Sequence, residues 1–275
     1  MAAPAEASDP SCPTIKSIFS TNGAWQKPEA AGSSPISILA IGSSSTAGIG
    51  ASAPNFAYPA QLRLHLAALW GMAADVVNAG IGGETVSTTV ERLEAALRTG
   101  RPDLVIWQVG TNDAVSREDE DYFRNLVQGG ISAVRDAGID LVLLDPQFFP
   151  TIRNPQRYEG FVRTIAELGV KNNVPVFSRY ALMKALGERS PDELRAQLAK
   201  DGFHMSDHGY DCLARSLAAE IAHHWGRTGP VAAQPEATPK SAAVLGKPLS
   251  VNLQPSPGAS PQNAPPPAGP KAGAT

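Results

Sequence analysis

The sequence predicts an α/β fold built on a parallel sheet of five strands. Five short apolar runs recur through the middle of the chain. Stretches with apolar residues at helical spacing separate them, and polar, glycine-containing turns follow the first three runs. Near-continuous apolar strands suit a sheet covered on both faces. Strands that alternate with helices imply parallel neighbours joined by right-handed crossovers.

The first strand is expected over Ile36–Ile41 (ISILAI), closing on Gly42. The second is Asp75–Ala79, the third Asp103–Val109, the fourth Ile139–Asp145 and the fifth Val174–Ser178. Between them, Leu62, Leu66 and Leu69 mark a helix over Tyr58–Trp70, and Val86, Val90, Leu93 and Leu97 mark one over Val86–Leu97. Phe123, Leu126, Val127, Ile131 and Val134 do the same for Glu118–Ala137, and Phe161, Ile165 and Leu168 for Gln156–Val170. A last helix runs from about Asp207 to Trp225 with Ser206 as N-cap. No internal repeat is visible.

Residues 34–226 have the size of one domain. Residues 1–33 read as an irregular N-terminal segment rich in Pro, Ala, Ser and Gly. Residues 227–275 are mostly Pro, Ala, Gly, Ser and Gln, a composition too poor in large apolar residues to offset ordering entropy, so a disordered tail is expected. The formal net charge of −3 and the lack of a basic stripe argue against a nucleic-acid partner. No apolar run approaches the length of a membrane span. The opening Met-Ala-Ala-Pro-Ala-Glu-Ala lacks a charged n-region and an apolar h-region, so it is not a signal peptide as written. It fits a mature secreted N-terminus carrying a new Met, or an irregular cytosolic start.

Four turns carry the chemistry. Gly42-Ser-Ser-Ser-Thr46 follows the first strand, Gly82-Gly-Glu-Thr85 the second and Gly110-Thr-Asn-Asp113 the third, while Asp201-Gly-Phe-His204 precedes the last helix. The carboxyl ends of parallel strands are where such groups converge. A serine needs a base to become a nucleophile at neutral pH. His204 has Asp201 three residues before it, and a carboxylate on one ring nitrogen leaves the other free to take a proton. Gly83 lets a backbone N–H approach a developing oxyanion, and Asn112 adds an amide donor. Taken singly, each is an ordinary turn or cap. Gly48-Ile-Gly50 lacks the GxGxxG spacing of a dinucleotide loop, and His204 with His208 lacks the Glu and third ligand of a zinc site, so neither a nucleotide cofactor nor a metal is expected. His208 reads as an exposed first-turn residue, and His65, His223 and His224 have no such company.

These blocks resemble those of the SGNH (GDSL) hydrolase superfamily, over roughly Ile36 to Trp225. Gly42-Ser43-Ser44-Ser45-Thr46-Ala47-Gly48 is similar to the usual Gly-Asp-Ser-Leu-Thr-Ala-Gly, with Ser43 in place of the Asp. The resemblance implies Ser44 as nucleophile, with Ser43 and Ser45 as alternatives. It further implies Ser44, Gly83 and Asn112 as the oxyanion hole, Asp201 and His204 as its partners, and a three-layer α/β/α sandwich of flavodoxin-like order 2-1-3-4-5. The loop after the fourth strand often lines the substrate pocket in this family, so Phe148 and Phe149 become candidate wall residues, with an edge-of-core role as the alternative. No organic or metal cofactor is implied.

The function expected is that of a serine esterase acting through an acyl-enzyme, with short acyl groups on a carbohydrate favoured because no long apolar lid insertion is present. Lipid or thioester hydrolysis, or acyl transfer, would use the same residues. A rival of another class is a carbohydrate-binding module on a decayed hydrolase fold. The partner expected is a small-molecule or glycan ester. Cys12 and Cys212 are either bridged, which favours a periplasmic or secreted protein, or two separate thiols, which fits the cytoplasm.

Overall fold

The structure is a computed structural model and describes Cys12 and residues 35–225, other than 72 and 117. The segments expected to be irregular (1–33) and disordered (227–275) lie outside the described residues, Cys12 apart.

Five strands form one sheet in the order β2-β1-β3-β4-β5. They are β1 (Ile36–Gly42), β2 (Ala74–Gly80), β3 (Leu104–Gln108), β4 (Asp140–Leu144) and β5 (Val176–Phe177), and every pairing is parallel. The register aligns Gly42 with Gly80 and Ile41 with Trp107, so the carboxyl ends of the three strands that precede the candidate turns lie side by side. All of β3 is buried, and β1 and β4 are buried except at Ser37 and Asp140, as a sheet covered on both faces requires.

The helices are α1 (Ser44–Ala47), α2 (Tyr58–Trp70), α3 (Val86–Thr99), α4 (Thr111–Ser116), α5 (Glu120–Asp136), α6 (Pro155–Asn172), α7 (Arg179–Arg189), α8 (Pro191–Gln197) and α9 (Asp207–His224), with a 3₁₀ turn at Pro54–Phe56. Helix α2 packs on α9, α3 on α5, and α5 on α6, giving helical layers about the sheet. Local signals set their ends. Asp119 accepts Tyr122 N–H at 2.8 Å to cap α5, and Ser206 accepts Gly209 N–H at 3.1 Å to cap α9.

The fifth strand is shorter than its apolar pattern suggests. Pro175 has no N–H to donate, and Ser178 has turned to cap α7 by accepting Ala181 N–H. Two histidines also differ from expectation. His65 does have company: its Nε2 lies 2.7 Å from Asp211 Oδ1, and Arg215 holds the other oxygen at 3.0 Å. Those partners are brought together only by the packing of α2 on α9. His208 is half-buried rather than exposed, with Nε2 3.7 Å from Cys212 Sγ.

Cys12 and Cys212 are joined by a disulfide with Cα atoms 5.2 Å apart, a spacing that bridges without backbone distortion. It ties the N-terminal segment to the second turn of α9 across a sequence separation of 200 residues. The chain-entropy treatment gives roughly 5 kcal/mol for so long a loop, while removal of native bridges usually costs about 2–5 kcal/mol. Cys12→Ala/Cys212→Ala should therefore melt several degrees or more below the wild type in calorimetry, and reductant should shift the wild type toward the variant. An unchanged midpoint would mean that the bridge adds no stability.

Candidate active site

At the end of β1 the chain turns at Ser43 into α1, and three successive serines receive three different environments. Gln108, buried at the carboxyl end of β3, accepts Ser43 N–H at 2.9 Å, the Ser43 hydroxyl at 3.1 Å and the Thr46 hydroxyl at 3.3 Å. The Ser45 hydroxyl points to Gln147 Oε1 at 3.4 Å, an oxygen that also accepts from Thr111 at 3.2 Å. Ser44 opens α1 and is 6 % exposed. Alone of the three, its hydroxyl takes no hydrogen bond among the described residues. An oxygen that no other side chain holds is available to a base and to a substrate.

Beside this elbow, Gly83 sits at φ +81°, in the left-handed region where a side chain would be strained, and a Cβ there would meet nothing within 4 Å. Its neighbour Glu84 accepts from Asn112 Nδ2 at 2.7 Å. An amide nitrogen has two hydrogens, so one donor on Asn112 is left. Asp113 accepts Val86 N–H at 2.9 Å and ties α4 to the start of α3. Burial pushes the Asp113 carboxyl up to about 6, against the pull of the Val86 bond.

The last candidate turn is a tight loop. Leu198 bridges Met205, and Ala199 N–H donates to the His204 carbonyl at 2.8 Å. One Asp201 oxygen accepts the N–H groups of Phe203 and His204, each at 2.9 Å, and the other meets His204 Nδ1 at 2.6 Å. Burial opposes the charge on Asp201, yet the His204 ring bond and the two N–H bonds outweigh it and hold the carboxyl below its ordinary range. Asp201 is placed to accept a hydrogen bond from an Nδ1–H tautomer of His204, which leaves Nε2 as the basic nitrogen. Phe203 packs edge-on to the His204 ring with centroids 4.8 Å apart. Phe149 is buried behind it, 4.8 Å from Phe203 and 5.7 Å from Tyr158, so it reaches the site through Phe203. Phe148 is half-buried against Tyr180 at 5.6 Å.

The loop leaving α1 is stitched to this turn. Ile49 N–H donates to the Ser44 carbonyl at 2.9 Å, and the Ile49 carbonyl accepts the Tyr210 hydroxyl at 2.6 Å. Ser52 donates its N–H and hydroxyl to Asp207 at 2.7 and 2.5 Å. Gly50 lies so close that a Cβ would stand 2.5 Å from the Met205 carbonyl and 2.9 Å from His204 Cβ. Glycine is required there, and the close approach draws the Ser44 elbow and the His204 turn together. Fully buried Arg179 gives a further brace. It donates to the Asp145 carbonyl at 3.1 and 2.9 Å and reaches Met205 Sδ at 4.0 Å. Burial pushes the Asp145 carboxyl up to about 7, although it accepts from Tyr180 N–H and the Ser178 hydroxyl.

Gln108, Gln147 and Phe203 are the site residues that reading the sequence missed. Gln108 had a signal, since it is the one polar side chain inside the apolar run LVIWQV. Gln147 had none, because its value lies in which long-range partners it meets, and Phe203 stands inside the Asp201–His204 turn but its packing on Phe149 shows only in the fold.

Residues 11–227 match the non-GDSL lipase-like family. The chain is 24 % identical over 156 residues to an arylesterase of Vibrio mimicus, covering 56 % of this chain and 73 % of that one. It is 27 % identical over 169 residues to an acetylxylan esterase of Geobacillus stearothermophilus, covering 56 % and 74 %. The crystal structure of a lipase/acylhydrolase from Enterococcus faecalis superposes with a TM-score of 0.60 at 26 % identity, over 72 % of this chain and all of that one. The family name suits the Gly42-Ser43-Ser44 turn, where serine replaces the aspartate of a GDSL block. This chain belongs to the non-GDSL lipase-like family, within the SGNH hydrolase superfamily.

Proposed function

We propose that the protein is a serine esterase that removes short acyl groups, acetyl foremost, from a carbohydrate. The observation that carries this reading is that Ser44, whose hydroxyl alone of the three adjacent serines takes no hydrogen bond among the described residues, lies next to an Asp201–His204 couple docked against the loop that leaves it. Ser44 Oγ attacks the ester carbonyl while His204 Nε2 takes its proton, and Asp201 stabilises the imidazolium. The negative charge on the carbonyl oxygen is met by the N–H groups of Ser44 and Gly83 and by the free amide hydrogen of Asn112. The tetrahedral species collapses, the C–O bond to the alcohol breaks, and the leaving oxygen receives the proton from His204. Water then enters by the same route in reverse and releases the acid and free Ser44.

Acetyl on a sugar is favoured by the similarity to an acetylxylan esterase and by the absence of a lid-sized apolar insertion. The similarity to an arylesterase favours simple aryl esters as a second reading. A panel of p-nitrophenyl esters from acetyl to palmitoyl, run beside acetylated xylan and mannan oligosaccharides, separates these. Acetyl should be turned over faster than long acyl chains, and acetate should be released from the glycans. A kcat/KM that climbs out to palmitoyl would overturn the assignment in favour of a lipid substrate. Among the described residues no helix is long and apolar enough to cross a membrane. The Cys12–Cys212 bond supports a periplasmic or secreted location over a cytoplasmic one, because such bonds persist in oxidising compartments. Alkylation of both thiols in protein taken directly from its native cells would oppose that location.

A further inference from the structure

The proposed oxyanion hole depends on a Gly83 N–H that needs support from elsewhere in the chain. Gly83 is exposed, and no atom stands where its Cβ would be. Packing therefore does not fix its N–H group, and the position must come from its neighbours in the chain. Glu84 is the neighbour that is held. Its carboxylate is bound by Arg92, whose Nε lies 3.0 Å from each oxygen and whose Nη2 also contacts Oε2. The same guanidinium donates from Nη1 to the Ala79 carbonyl at 2.9 Å and from Nη2 to the Gly42 carbonyl at 3.3 Å.

One side chain therefore spans the carboxyl ends of β1 and β2 and grips the residue after Gly83. Gly42 is two residues before Ser44. The Glu84 carbonyl, in turn, accepts the Asn112 amide. All three proposed oxyanion donors are thus one or two links from Arg92. The Arg92 and Glu84 side chains are each 14 % exposed, so the pair is largely removed from solvent and its screening. Arg92 itself is carried by α3, which is anchored by buried Val90 and Leu93. The guanidinium spreads its donors over Nε, Nη1 and Nη2 and so reaches the carboxylate through two nitrogens and both strand carbonyls at once; a lysine ammonium holds its three donors on one atom and cannot match that spread.

We propose that Arg92, acting through Glu84, is a positioning residue that sets the oxyanion hole of this enzyme. The proposal rests on the esterase reading above. The substrate does not touch Arg92. Its role is to keep the Gly83 N–H and the Asn112 amide aimed at the position of the developing charge, so its loss should appear in the chemical step rather than in ground-state binding.

The test uses Arg92→Met and Arg92→Lys in the full chain, with p-nitrophenyl acetate as substrate. Loss of one oxyanion donor outright costs about 10²–10³ in kcat, so misaimed donors should cost about tenfold or more in Arg92→Met while KM stays within about threefold. Arg92→Lys keeps the charge and should fold where Arg92→Met fails to, yet it should still lose kcat because it cannot span both carbonyls. The decisive readout is a double-mutant cycle. In an Asn112→Ala background the same Arg92 substitutions should cost less than in the wild type, because the Asn112 amide is already gone and only the Gly83 N–H is left to be misaimed. Wild-type kcat in both Arg92 variants, or losses that multiply independently with Asn112→Ala, would overturn the proposal. Ser44→Ala is run alongside. If it is inactive and the Arg92 variants are not impaired, only the positioning role falls; if it stays active, the esterase site and the positioning role fall together.

Discussion

Ser44→Ala should lower kcat for an activated ester by about 10⁴-fold or more, and His204→Ala should do nearly as much damage, since each removes a member of a unit that works only as a whole. For the same reason the double variant should be hardly worse than either single one. The neighbouring serines set the control. The Ser43 hydroxyl is held by Gln108 and the Ser45 hydroxyl by Gln147, so Ser43→Ala and Ser45→Ala should retain most of the chemistry. A dead Ser45→Ala beside an active Ser44→Ala would move the nucleophile by one residue. Steady-state kinetics on p-nitrophenyl acetate, with circular dichroism to show that each variant is folded, reads all four.

Asn112→Ala is the second large effect, about 10²–10³ in kcat with little change in KM, if its free amide hydrogen meets the oxyanion. The other amide hydrogen is bonded to the Glu84 carbonyl, so the side chain is already oriented before substrate arrives. Asn112→Asp is the sharper comparison. It is nearly the same shape, yet its carboxylate would face both the Glu84 carbonyl and the developing negative charge. It should be at least as impaired as Asn112→Ala. An Asn112→Ala enzyme with kcat near wild type would take Asn112 out of the hole.

The strands and the converging turns were legible because they rest on local pattern, whereas the order 2-1-3-4-5 came from the family resemblance. Apolar runs such as ISILAI and DLVIWQV announce buried strands, and the polar turns after them mark the sheet edge where chemistry collects. The Asp201–His204 couple was legible for the same reason, as both groups lie in one four-residue turn. The short elements were not. Helix α1 holds four residues and α4 six, too few for a period to show, and α7 carries a fully buried Arg179 that breaks any apolar reading of its face. The partners that hold the site were not legible either. Gln108 to Ser43 spans 65 residues, Asn112 to Glu84 spans 28, and the His65–Asp211 clasp spans 146, and none of these leaves a mark in local sequence. The choice among three adjacent serines belongs here too. Motif alignment points to Ser44, but what singles it out physically is that Gln108 and Gln147 occupy its two neighbours.

Mass spectrometry of the protein after reaction with a fluorophosphonate tests the central claim most directly. The expected product is a single phosphonyl adduct on the peptide that contains Ser44, formed in the wild type, absent in Ser44→Ala and strongly slowed in His204→Ala. No adduct on active, folded protein, or an adduct that survives Ser44→Ala, would contradict the assignment of Ser44 as the nucleophile.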